Sequence, residues 1–344
     1  MENQLIIDSE TFEIVVTIRN NQINPARLIP LVEKGATILR LNGAFLFIDE
    51  LGSIVNQIRR IIPSHIKIIL DLPGYKIRFL YLEKNLEFQA NTPFILPKKI
   101  FNYPDFVDSI ETQTKFRIND GMHELSVCGI NDDSIQCISN KDGVIKKGKG
   151  LHLEGVDYRP STYSLSSLDK KLIKIAREYA IDYVGLSFVY NRRDIDFVEE
   201  KLSGTAVKCI PKIESKQAVQ NLKEILEYSE MAIIDRGDLS GEIGIENIWE
   251  AQREIISNAK RVGTKIIVAT QLLTSMVRKS VPSIAEVDSL HGLLKWGIDG
   301  VQLSDETCIG QFPEEAVAFI SDIAERVRRT GDFKNREMLT VMSG

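Results

Sequence analysis

The sequence predicts an α/β fold, a (β/α)8 TIM barrel with a small inserted β domain after its third strand. Three observations carry this. Eight short β-branched runs recur along the chain, each followed by a helical pattern, which is the alternation of parallel βα units. The runs are apolar almost without interruption, as strands covered on both faces must be. Polar residues collect at the carboxyl ends of the runs, the end at which such a barrel builds its site. A doubly wound open sheet is the other arrangement that this alternation permits.

The runs are FEIVVTI (12–18), TILRLN (37–42), KIILDL (67–72), YVGLSFV (183–189), KCIPKI (208–213), MAIID (231–235), KIIVAT (265–270) and GVQLS (300–304). Their spacing is regular except between the third and the fourth. There, residues 79–160 read as short strand-like pieces, FRINDG, HELSVCGI and SIQCIS, separated by ND and DG turn signals. The stretch closes on Lys146-Lys147-Gly148-Lys149-Gly150, which reads as a solvated loop or as part of a lid hinged on the barrel. Helical patterning resumes at SLSSLDKKLIKIAREYA, with Ser and Asp available as caps. The expected division is a barrel over 1–78 and 161–335, an inserted β lid over 79–160 and a tail over 336–344. The last barrel helix follows Phe312-Pro313 and runs to about Arg329.

Composition narrows the function classes. Of 344 residues, 43% are apolar and 26% charged, which excludes collagen-like, coiled-coil and disordered chains. A net charge of −5 offers no footprint for a polyanion, so nucleic acid is not an expected partner. No apolar run approaches the ~18 residues of a membrane span. The N-terminus has early acids and no basic n-region, so no membrane association is expected and the expected location is cytoplasmic. Cys128, Cys137, Cys209 and Cys308 form no CxxC pair, consistent with reduced structural thiols.

The ends of the runs carry Thr17, Arg19, Arg40, Asn42, Asp71, Ser187, Lys212, Glu214, Asp235 to Asp238, Thr270, Gln271, Ser304 and Glu306. Arg40 with Asn42, and Lys212 with Glu214, are spaced i, i+2 and so share a strand face aimed into the mouth. Charge in that position is costly unless a charged ligand or a metal answers it. Glu214 and Asp238, with no histidine or cysteine cluster beside them, suit Mg2+ or Mn2+ rather than zinc. Arg40 and Lys212 suit a phosphate or carboxylate, and Gly237 lets backbone N–H groups approach an anion. Structural pairs Lys212–Glu214 and Arg236–Asp238 are the plainer reading, but such pairs need not converge on one mouth. The Arg236-Gly237-Asp238 tripeptide sits in a βα loop, the wrong setting for an adhesion motif.

Over about residues 11 to 330 these motifs resemble those of the pyruvate kinase family. Arg40-Leu41-Asn42 is similar to RLNFSH, LDLPGYKIR (70–78) to LDTKGPKIR, and Lys212-Ile213-Glu214-Ser215 to KIEN. Asp235 to Leu239 resembles ARGDLG, Ala269 to Leu273 resembles ATQML, and Ser304 to Thr307 resembles SGET. In the insertion, matching that family's mobile B domain, Asn119-Asp120-Gly121 resembles DDG and Lys149-Gly150 the KG of KKGVNLPG.

The resemblance implies Mg2+-dependent phosphoryl transfer from phosphoenolpyruvate to ADP. Glu214 and Asp238 would hold the metal. Lys212, Arg40 and Thr270 form the catalytic set; Arg40, Ser187, Thr270, Gly237 and Asp238 the substrate set; Asn42, Arg78 and Lys149 the nucleotide set. Ala44 and Leu72 depart from the family's potassium site and leave only Asn42 and Asp71 there, while Lys76 stands where potassium-independent members carry a substitute cation. Activity without K+ is the expectation. Phe45 and Asn20 replace the family's histidine and proline beside the nucleotide, which leaves room for another phosphoryl acceptor. A non-catalytic barrel binding a metabolite or a partner protein is the third reading. The family's C-terminal domain has no expected counterpart after about residue 330, so no allosteric control through it is expected, and a homodimer through barrel helices remains open. His65, His123, His152 and His291 receive no catalytic role.

Overall fold

The computed structural model describes residues 11–329 apart from 47, 119–120, 157 and 159–164. The chain opens with β1 (Glu13–Ile18), α1 (Pro25–Glu33), β2 (Ile38–Asn42), α2 (Ile48–Ile61) and β3 (Lys67–Leu72). It then leaves the barrel for β4 (Ile77–Arg78), β5 (Leu86–Phe88), β6 (Phe94–Pro97), β7 (Lys115–Ile118), β8 (His123–Asn131), β9 (Ser134–Ser139), β10 (Gly143–Ile145) and β11 (Gly150–Leu153). It returns through α3 (Ser167–Glu178), β12 (Tyr183–Leu186), α4 (Arg192–Leu202), β13 (Lys208–Ile213), α5 (Lys216–Gln220) and α6 (Leu222–Leu226). The last units are β14 (Met231–Asp235), α7 (Arg236–Ile243), α8 (Ile248–Val262), β15 (Lys265–Ala269), α9 (Ile284–Lys295), β16 (Gly300–Leu303), α10 (Asp305–Cys308) and α11 (Pro313–Arg329).

Local chemistry sets several of these boundaries. Ser166 with Asp169, and Ser283 with Glu286, form reciprocal capping boxes at the starts of α3 and α9. Pro25 in the first turn of α1 follows the Asn24 cap, and Gly263 ends α8 in the left-handed region. Two strands stop earlier than their apolar runs. β12 ends at Leu186 because Phe188 adopts φ 55°, and β15 ends at Ala269 because Thr270 and Gln271 adopt φ 67° and 53°.

Eight parallel strands close in the order β1-β16-β15-β14-β13-β12-β3-β2, and the helices cover the outside. Alternation divides the strands between two cores. In β1, Ile14, Val16 and Ile18 turn outward into the helix layer, and Val15 turns into the barrel. The interior is filled by Val15, Ile38, Ile69, Ile210, Met231, Ile233, Ile267 and Ala269. Two residues beyond five of these, on the same inward face, stand Thr17, Arg40, Asp71, Lys212 and Asp235, all buried. On these five strands the inward face therefore changes from apolar to polar or charged in one step at the carboxyl end.

The inserted strands pair antiparallel in the order β4-β11-β7-β8-β9-β6, with β10 and β5 as a separate pair. They have their own core, in which Phe79, Phe101, Phe106 and Phe116 are fully buried. Ile77 and Arg78, expected with the barrel, pair here with Leu151 and Gly150. Asn119, Asp120, the segment after Arg329 and the expected tail lie outside the described residues. Among the described residues no helix is long and apolar enough to cross a membrane.

Candidate active site at the barrel mouth

Lys212 is the centre of the mouth. Its Nζ lies 3.0 Å from Glu214 Oε2, 3.3 Å from Asp235 Oδ2 and 3.7 Å from Asp71 Oδ2, and donates to Ser187 Oγ at 3.3 Å. Burial alone would lower the pKa of this ammonium, but Glu214, Asp235 and Asp71 outweigh it and raise it. Arg40 flanks the pair, donating from Nε to Asp71 Oδ2 at 2.8 Å and from Nη1 to Thr17 Oγ1 at 3.0 Å. Burial pushes the Asp71 carboxyl up, yet Arg40 and Lys212 hold it below the usual carboxylate range. Both cations are thus locked in the charged form.

Three carboxylates, Glu214, Asp235 and Asp238, offer oxygens within 4.8 Å of one another. Burial, together with Asp238 and Asp235, pushes the Glu214 carboxyl up to about 7 despite Lys212. Glu214 Oε1 accepts from the Phe188 N–H at 2.8 Å. Its Oε2 is buried and paired with the Lys212 ammonium at 3.0 Å, without a hydrogen bond of good angle. Three carboxylates whose oxygens converge within 4.8 Å, with no nitrogen or sulfur donor in the set, fit a hard divalent cation. Glu214, Asp235 and Asp238 are the residues that could hold one. Asp238 is otherwise balanced: burial would raise its pKa, but Lys76, His152 and Lys212 hold it well below the usual range.

The loops at the mouth are held by their own side chains. The Gly237 N–H donates to Thr270 Oγ1 at 2.8 Å, and a Cβ on Gly237 would stand 3.3 Å from that hydroxyl, so glycine lets the backbone come close. Arg236 turns away from the mouth and donates to the carbonyls of Thr270 at 2.7 Å and Gln271 at 2.7 Å, fixing the two left-handed residues. Among the described residues the Lys212–Glu214 pair forms and an Arg236–Asp238 pair does not. Glu306 faces backbone instead of the mouth, accepting from the N–H groups of Leu273 and Ser304 at 3.1 and 2.9 Å.

The expected nucleotide set is spread along the rim. The Arg78 guanidinium lies over the Phe45 ring at 5.8 Å and donates to the Gly148 carbonyl at 3.1 Å, while its buried Nε has no partner. Burial lowers its pKa, partly offset by Asp238, Glu214 and Asp235. Lys149 is exposed on the loop before β11, and Asn42 Oδ1 accepts from the Ala44 N–H at 3.1 Å. Lys76 pairs with Asp238, while Asp71 is taken by Arg40 and Lys212.

Sequence reasoning gave two of these residues no role in the carboxylate cluster. Asp235 follows the same inward rule as Lys212, standing two residues after Ile233, and could have joined the carboxylate set on that ground. His152, set aside from sequence, is buried with Nε2 3.4 Å from Asp238 Oδ1 and Nδ1 3.3 Å from Glu242 Oε1. Burial lowers its pKa, but Asp238 and Glu242 outweigh that and bring it up to about 9.

The family model for the barrel domain of pyruvate kinase matches residues 9–317. The chain is 29% identical over 332 residues to the pyruvate kinase of Borreliella burgdorferi, covering 93% of this chain and 69% of that protein. It is 31% identical over 326 residues to the pyruvate kinase of Encephalitozoon cuniculi, covering 92% and 76%. With pyruvate kinase 2 of Synechocystis sp. it shares 30% over 336 residues, covering 92% of this chain and 56% of that relative.

Proposed function

Because the chain belongs to the pyruvate kinase family, we propose that it is a cytoplasmic phosphotransferase that moves a phosphoryl group from phosphoenolpyruvate to ADP, giving pyruvate and ATP. The observation that carries this reading is Lys212, a buried ammonium fixed among three carboxylates and Ser187, with Arg40 beside it on the same inward face. Phosphoryl transfer asks a protein chiefly for positioning and charge neutralisation, and this cluster supplies both.

Glu214 and Asp238 would hold Mg2+ or Mn2+, with Asp235 within reach of the same ion. Bound there, the ion supplies Lewis-acid neutralisation of the donor's oxygens. Arg40 binds the phosphate of phosphoenolpyruvate in a forked contact, and Lys212 neutralises charge on the group in transit and on the developing enolate. Thr270 Oγ1 and the Gly237 N–H, bonded to each other at 2.8 Å, exchange that bond for contacts to the substrate carboxylate, assisted by the Asp238 backbone. Ser187 keeps Lys212 aimed at the same point. Arg78, Lys149 and Asn42 receive the nucleotide, and the inserted unit acts as a lid that excludes water.

Turnover does not require K+ in this reading. This rests on the resemblance at Lys76, whose ammonium in the structure meets Asp238 of the carboxylate set and not Asn42 or Asp71. Phe45, 66% exposed beside Arg78, favours a second reading with the same donor and metal but another phosphoryl acceptor. A homodimer through barrel helices is compatible with either reading; the exposed Trp249 on α8 and Ile284 on α9 are apolar surface that such an interface would cover. The test is pyruvate formation from phosphoenolpyruvate and ADP with Mg2+, run with and without K+ beside a Lys212→Met control. Turnover without K+ that vanishes in the control is expected. Absence of turnover while phosphoenolpyruvate still raises the melting temperature moves the assignment to the second reading.

A further inference from the structure

His152 is the one histidine buried at the contact between the inserted unit and the barrel, and the reaction as described above does not use it. It sits on β11, and its ring lies against α7. Along α7, Asp238, Gly241 and Glu242 share one face at i, i+3 and i+4. Both ring nitrogens are engaged on that face, Nε2 at 3.4 Å from Asp238 Oδ1 and Nδ1 at 3.3 Å from Glu242 Oε1. Between the two acids, the absence of a side chain at Gly241 makes room for the ring: a Cβ there would fall 2.6 Å from His152 Cγ and Cδ2. Asp238 Oδ1 is also the atom paired with Lys76, from the segment that leads into the inserted unit.

Two groups from outside the barrel strands therefore fix one oxygen of a carboxylate assigned to the metal. A carboxylate ligand is oriented by the hydrogen bonds to its other oxygen, and loss of such a partner weakens the ion's hold. We propose that His152 is a positioning residue that docks the inserted unit on α7 and, with Lys76, sets the orientation of Asp238, so that the metal site is complete only with the unit docked. This inference rests on the metal assignment of the proposed function.

The experiment is a titration of the full chain with Mn2+ alone, followed by the electron paramagnetic resonance of the free ion, so that no turnover is needed. His152→Ala is expected to raise the Mn2+ Kd by about tenfold or more. His152→Gln, whose amide can still donate to Asp238, recovers most of the loss. Gly241→Ala keeps the histidine but fills its seat; it is expected to match His152→Ala, and the double variant to add nothing further. Unchanged Mn2+ Kd in the variants, with only a lower melting temperature, would make His152 a packing residue and overturn the proposal. Additive losses in the double variant overturn it as well, since the two changes would then act separately. A nitrogen coupling to bound Mn2+ in the wild-type spectrum overturns it in favour of direct ligation. If the wild-type chain binds no Mn2+, the metal assignment itself fails and takes this inference with it.

Discussion

Lys212 and Asp71 show how single residues decide this site. An ammonium and a carboxylate this deep in a barrel are tolerated only because each answers the other, and Arg40 completes the balance. Lys212→Met is therefore expected to lower turnover by about 100-fold or more, as loss of a preorganised charge does, with less effect on phosphoenolpyruvate binding measured by thermal shift. A variant with full turnover would remove Lys212 from the mechanism. Glu214→Gln takes one charge from the carboxylate set, so the Mg2+ concentration for half-maximal activity should rise severalfold; an unchanged metal titration would reject Glu214 as a ligand. Asp71 gives a pH signature. Its folded pKa is depressed by Arg40 and Lys212, so its contribution to stability is present above the unfolded value of ~3.9 and is lost as pH falls through the folded one. Urea unfolding of Asp71→Asn should show a deficit of about 3–5 kcal/mol near neutrality that narrows below pH ~4.

At the level of elements, the candidate site depends on loops held in conformations that side chains elsewhere enforce. Thr270 and Gln271 stay left-handed because Arg236 takes both of their carbonyls. Arg236→Met leaves those carbonyls unanswered and should cost about 3 kcal/mol in urea unfolding, with a loss of turnover as Thr270 shifts. Intact turnover in that variant would show that the left-handed pair holds itself. The strands were legible in the sequence because burial on both faces leaves a continuous apolar run, and the polar or charged step at five of the inward ends follows from alternation alone. Arg40, Asp71, Lys212 and Glu214 could be found that way. The extent of β12 and β15 could not, because a left-handed φ at Phe188 or Thr270 is imposed by loop contacts and has no glycine to announce it. His152 was illegible for a different reason. Its partner Glu242 is 90 residues away, and the pairing exists only once the inserted unit is folded against α7.

For the molecule as a whole, the inserted unit has its own core and a single pair of chain connections to the barrel, beside its side-chain contacts at α7. Its strands surround their own aromatic core, and its first and last strands, β4 and β11, are direct neighbours, with Ile77 opposite Leu151 and Arg78 opposite Gly150. The chain therefore leaves and re-enters the barrel through adjacent strands, and closing that short gap costs little loop entropy. The barrel core on the helix side involves none of the inserted phenylalanines. Replacing residues 77–153 by a short Gly/Ser linker is expected to leave a soluble barrel that unfolds in one cooperative transition by circular dichroism. The same protein should form no pyruvate, having lost Arg78, Lys149 and the cover over the mouth. Its Mn2+ affinity should fall to that of His152→Ala, because both changes release Asp238 from the histidine. A barrel that fails to fold without the insertion would mean that the α7 contact contributes to the core as well as to the site.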